Sequence, residues 1–119
     1  MRIETYEKYG IIMQIQVNSD NIINADDGTI QAMRTLLLNK LGRFVPHLTR
    51  LEVHLKDVNS TSAGAPNIVC TLEARPAGLA PLTVDSNGPT IDVAVARAAG
   101  KMVTALDRTF GKLTDRKGH

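Results

Sequence analysis

The stretch IVCTLEARPAGLAPLTV, residues 68–84, decides the fold. Ile68, Cys70, Leu72 and Ala74 fall on one side of a period of two, and Thr71, Glu73 and Arg75 fall on the other. That alternation belongs to a half-buried strand. Arg75 to Pro81 contains two prolines and a glycine, which marks a turn. Leu82 and Val84 resume the alternation as a shorter strand. Two strands joined by so short a connection form an antiparallel hairpin.

The same period appears twice upstream. Leu51, Val53 and Leu55 alternate with Glu52, His54 and Lys56, and Met13, Ile15 and Val17 alternate with Gln14, Gln16 and Asn18. Between these strands the period changes. Ile30, Met33, Leu37, Leu41 and Phe44 recur at threes and fours, which is one face of an amphipathic helix, and Leu36 and Leu38 widen it. Asn24, Asp26 and Asp27 are candidate caps for its start. Gly42 weakens its end and Pro46 stops it. The segment Asp57 to Asn67 is rich in Asn, Ser, Thr, Gly, Ala and Pro and reads as a loop.

A second helix follows the breakers at Ser86 to Pro89. Thr90 is its cap and Asp92 lies in its first turn. Ile91, Val95, Ala98, Met102, Leu106, Phe110 and Leu113 keep helical spacing. Ile91, Val93 and Val95 also alternate, so a start one turn later competes. The order is strand, helix, three strands, helix. A helical crossover after the first strand makes strands one and two parallel neighbours. The expectation is a single α+β domain of β-α-β-β-β-α order, a four-stranded mixed sheet with two helices packed on one face. Residues 1–12 precede it as an N-terminal extension, residues 13–113 form the domain, and residues 114–119 form a basic, frayed tail.

The bulk composition agrees. With 119 residues, 43% apolar and 22% charged, the chain suits one ordinary core. Aromatics supply only 3%, so aliphatic side chains must fill that core. One cysteine, Cys70, cannot build a disulfide framework and fits a reducing, cytoplasmic home. No apolar run approaches the roughly 20 residues of a membrane span, and the first residues do not form a signal peptide. The net charge is +2 and the pI about 8.9, so the placement of cations matters more than their sum.

That placement is informative in the second helix. Arg97, Lys101, Arg108 and Lys112 are separated by four, seven and four residues, which keeps them on one face. A solvated helix face accounts for such a run as readily as a phosphate-binding stripe does. Asp107 is the one nearby acid, which favours RNA. Arg116 and Lys117 carry the charge into the tail. The first helix adds Lys40 and Arg43 on one side and Arg34 on the other. Phe44 and Phe110 sit at core spacing, which disfavours single-strand readers that stack bases on a sheet.

No catalytic, metal or cofactor pattern emerges. His47 and His54 read as turn and surface histidines, and Cys70 reads as a small buried residue. Glu52, Glu73 and Asp85 are strand carboxylates without a pairing signature. There is no phosphate loop, dinucleotide fingerprint, zincin helix or nucleophile elbow. The expectation is a protein that binds, with no catalytic residue, no metal, no cofactor and no small-molecule substrate.

Leu51 to Leu55 with Asn59, the run Cys70 to Gly78, and Lys101 through Leu106 to Leu113 together resemble one family. It is the ribosome hibernation-promoting factor and ribosome-associated inhibitor family, also called sigma-54 modulation proteins. The resemblance runs from Met13 to Leu113 and lies in the whole layout. It implies a double-stranded-RNA-binding-domain-like fold, with both helices on one side of the sheet. It also implies a stress-response translation inhibitor that binds small-subunit rRNA where mRNA and tRNA meet. Lys40, Lys101, Arg108 and Lys112 match its basic helix positions. Leu37, Ile68, Val69 and Thr104 stand where basic residues are usual, and Asp92 stands near a usual aromatic. These departures thin the expected RNA face, and they leave open an alternative: a protein-interaction module of the same fold without ribosome binding. Oligomeric state is not legible.

Overall fold

A computed structural model describes residues 2–8, 11–20, 26–58 and 66–117. The elements run β1 (Arg2–Lys8), β2 (Ile11–Ser19), α1 (Asp27–Lys40), a 3₁₀ turn (Gly42–His47), β3 (Leu48–Asp57), β4 (Ile68–Pro76), β5 (Leu82–Gly88) and α2 (Ile91–Lys117). The expected β-α-β-β-β-α order is therefore present as β2 to α2. One strand is added ahead of it. The N-terminal extension supplies β1, which pairs antiparallel along β2 from Arg2 opposite Val17 to Lys8 opposite Ile11. The sheet has five strands in the order β1-β2-β3-β4-β5.

β2 and β3 are parallel, as a helical crossover requires, and the other neighbours are antiparallel. The register stacks apolar residues in rows. Ile15, Leu51, Ala74 and Leu82 form one row, and Val17, Val53, Leu72 and Val84 form the next. The first three residues of each row are buried. Ile30, Met33 and Leu37 of α1, with Ala94, Val95, Ala98, Ala99, Met102 and Leu106 of α2, join them in one core. Both helices thus cover the same face of the sheet.

A bulge makes this register possible. Leu48 and Leu51 are three apart, so strict alternation would send them to opposite faces. Leu48 pairs with Pro76 and Arg50 with Arg75, which leaves Thr49 as an extra residue. Leu48 and Leu51 are then both buried. The Thr49 hydroxyl donates to the Arg75 carbonyl at 3.0 Å and holds the bulge to β4.

The helix ends follow local chemistry. The Asp26 carboxylate accepts from the Thr29 N–H at 2.9 Å, which satisfies an orphan donor and holds the carboxyl below its usual range. Asn24, another candidate cap, lies outside the described residues. Thr90 caps α2 by accepting from Val93 N–H at 3.2 Å, so the helix starts at Ile91 and not a turn later. α2 also continues past Leu113 to Lys117, where the sequence reading expected a frayed tail. Lys40 ends α1, and the chain winds on as a 3₁₀ turn through Pro46 before β3 begins.

Gly88 closes β5 against the start of α2. A Cβ there would stand 2.7 Å from Val93 Cγ1 and 3.0 Å from the Ala94 nitrogen, and that backbone cannot give way cheaply. Gly88→Ala is expected to cost about 1–3 kcal/mol through overpacking. Leu72→Ala, in the central row, is expected to cost about 2–5 kcal/mol. Urea unfolding of the two variants checks both figures, and a neutral Gly88→Ala would show that the strand and helix approach less closely.

Candidate nucleic-acid interface

The apolar face of α2 fixes where its cations go. Ala94, Val95, Ala98, Ala99, Met102 and Leu106 are buried, so the opposite side must face water. Arg97, Lys101, Thr104 and Arg108 lie on that side and are exposed. A step of about 100° per residue puts all four within a narrow stripe, and Lys112 follows on the same line. The cationic stripe read from spacing is therefore a real surface over residues 97–108.

The cations in it are not equivalent. The Arg97 guanidinium donates to the Asn87 carbonyl at 2.9 Å, and the Lys101 ammonium donates to the Asp85 carbonyl at 2.8 Å. Both are directed back onto β5. Arg108 is exposed and has no hydrogen-bond or ion-pair partner among the described residues. Thr104 turns its hydroxyl toward the Gly100 carbonyl at 3.4 Å.

Arg43 is placed differently from the expectation. It forms an ion pair with Asp107 across the contact between the 3₁₀ turn and α2. Its guanidinium also lies over the Phe44 ring, 4.6 Å from the centroid. Phe44 in turn stacks on Phe110 at 5.8 Å, and His47 tilts against Phe110 at 5.2 Å. Arg43 thus spends its charge on the acid that lies beside the stripe at Asp107. That leaves Arg108 without a competing carboxylate from Asp107. Lys40 is exposed in the last turn of α1, where a cation is favoured by the helix dipole, and it too has no partner among the described residues.

The outer face of the sheet holds the strand carboxylates. Glu52 and Glu73 are directly opposite on β3 and β4, an arrangement unfavourable for two like charges. Arg75 resolves it. Its guanidinium meets Glu73 Oε1 at 2.7 Å and Glu52 Oε2 at 3.0 Å. Gln16 donates to Glu52 Oε1 at 3.3 Å, and His54 Nε2 lies 3.9 Å from the same oxygen. Asn18 Nδ2 lies 3.3 Å from His54 Nδ1. These groups tie four residues of the outer face to Glu52 and Glu73. Nothing in the sequence pairs Glu52 with Glu73, which are 21 residues apart. The Glu73 and Arg75 spacing of two was the available signal for half of the cluster, because residues two apart share a strand face.

Cys70 is buried, and burial pushes its thiol up to about 12, so it is held as the neutral thiol. Among the described residues no group of three or more His, Cys, Asp or Glu is placed to hold a metal. Among them too, no helix is long and apolar enough to cross a membrane.

No protein-family model matches the chain, and no curated protein matches it in sequence. Solved structures match it in fold. The N-terminal domain of Protein Y from Thermus thermophilus superposes with a TM-score of 0.58 at 16% identity, covering 79% of this chain and 94% of that one. A ribosomal subunit interface protein from Coxiella burnetii superposes with a TM-score of 0.62 at 13% identity, covering 82% of this chain and 97% of that one. The fold is thus shared across nearly the whole of both neighbours.

The outer-face cluster sets an acid response. The Arg75 hydrogen bond holds the Glu73 carboxyl below its usual range, so Glu73 is more acidic folded than unfolded. Its stabilising contribution is present above the ordinary glutamate pKa and is lost as pH falls through the lowered one. Arg75→Met leaves two facing carboxylates, which raises a carboxyl pKa in the folded state and reverses the sign. Thermal unfolding across the carboxylate range should show the parent losing stability on acidification. The variant should gain stability over the same span, and parallel curves would contradict the bridging role.

Proposed function

We propose that this protein is a ribosome-associated translation inhibitor of the hibernation-promoting family, acting in the cytoplasm by binding and not by catalysis. Its target is small-subunit rRNA near the channel where mRNA and tRNA meet. The observation that carries the reading is the exposed cationic stripe on α2, set on a fold shared with a ribosomal subunit interface protein. A rigid helix presenting cations on one line suits a row of phosphates, which the chain can grip without reading base edges. The RNA-binding unit comprises residues 13–113, with β1 as an added edge strand.

The stripe divides by availability. Arg108, with Lys40 on α1, is the primary phosphate contact, and Lys112 continues the line by its helical position. Lys101 and Arg97 contribute with the donors that their β5 carbonyls leave free. Arg43 acts indirectly, by neutralising Asp107. One observation supports the second reading, a protein-interaction module without ribosome binding: Arg43, Arg97 and Lys101 already have partners within the chain.

Reversal of Lys40, Arg108 and Lys112 to Glu separates the two. The variant is expected to lose at least tenfold in affinity for the small subunit and to stop inhibiting translation in a purified system. Lys56→Glu, on the outer sheet face, is expected to change neither. Unchanged ribosome binding by the triple variant would remove the stripe from the interface. Absence of binding by the parent protein would favour the interaction module.

A further inference from the structure

The contacts of Arg97 and Lys101 with β5 point to a second task for these residues. β5 lies at the edge of the sheet, paired with β4 on one side only. Along an antiparallel strand, alternate residues direct their N–H and C=O groups toward the neighbour or away from it. Asp85 and Asn87 are two apart and so direct their carbonyls to the same side of β5. The side chains of α2 meet both carbonyls there, at 2.8 Å and 2.9 Å.

The match between helix and strand is geometric. Four residues of helix rise about 6 Å, and two residues of strand advance about 6.8 Å. A helix running against β5 can therefore set one long cation on every second carbonyl. Arg97 takes Asn87 and Lys101 takes Asp85. The next step of four falls on Ala105, which has no donor, and its neighbour Thr104 turns its hydroxyl to the Gly100 carbonyl. The series of long cations on β5 carbonyls therefore ends with Lys101.

We propose that Arg97 and Lys101 guard the β5 edge against strand addition by a second copy of this chain. An open edge of seven residues offers a row of acceptors to any extended strand, and lysine at an edge is a recurrent defence. Here the defence comes from a neighbouring helix. The two side chains occupy the acceptors that an incoming strand would need, and they hold positive charge across its path. The occupant excluded is the same edge of another copy, because its β5 presents the matching row of groups in antiparallel orientation. This task stands whether or not the stripe also binds phosphate.

The experiment uses the full chain with Arg97→Met and Lys101→Met, which keep the length and the apolar stems but remove the donors. Sedimentation velocity across a concentration series is expected to show the double variant shifting toward twice the parent mass as concentration rises. The parent, and an Arg108→Met and Lys112→Met control, are expected to hold a constant mass. Adding Thr83→Pro to the double variant should return it to the parent mass. Thr83 shares the parity of Asp85, so proline there removes an outward N–H without breaking the ladder to β4. A double variant that keeps the parent mass would overturn the proposal, and so would association that persists with Thr83→Pro. Should the double variant fail to fold, Lys101→Met alone carries the same comparison.

Discussion

The fold hangs on the inward face of β3. This strand sits mid-sheet, parallel to β2 and antiparallel to β4, and it buries Leu48, Leu51, Val53 and Leu55. A slip of one residue in either pairing would turn those side chains to the other face and bring Glu52, His54 and Lys56 into the core. The register is therefore fixed from both sides. The bulge at Thr49 reconciles the odd spacing of Leu48 with the rest. The helices follow from this face, since α1 and α2 have only that surface on which to bury their stripes.

From that burial the charge pattern follows. The apolar face of α2 is held against the sheet, so Arg97, Lys101 and Arg108 have to stand outward on one line. Packing then divides them. The N-terminal half of the stripe lies beside β5 and satisfies its carbonyls. The half that follows lies beside the 3₁₀ turn, where Arg43 removes the competing charge of Asp107. One row of cations thus serves the sheet at one end and is open to a ligand at the other. Of the positions where the resemblance implies basic residues, Leu37 is buried in the core and Ile68 at the start of β4, while Val69 is half-buried and Thr104 is exposed. The first two face the core in this chain, which removes them from any RNA face.

Elements set by local periodicity were legible from the residues. The alternations at 13–17, 51–55 and 68–74, the helical spacings, the Asp26 and Thr90 caps and the parallel β2–β3 pair all stand in the structure. What was not legible depends on residues far apart in the chain. β1 carries Arg2, Glu4, Glu7 and Lys8 among only seven residues, so its sequence lacks an apolar stripe, and pairing with β2 makes it a strand. The opposition of Glu52 and Glu73 exists only once the β3–β4 register is known. Arg43 and Asp107 are 64 residues apart, and no spacing rule joins them. The candidate interface was therefore readable as a stripe, but not as a stripe divided between two tasks.

The proposed grip on structured RNA runs through phosphate contacts from the two helices. Cosedimentation of the unmodified protein with purified small ribosomal subunits across a salt series tests it most directly. Three or four phosphate contacts predict strong binding at low salt that falls along a straight log–log line with a slope of about −2 to −3.5. Absence of binding at the lowest salt, or binding that ignores salt, would contradict the account.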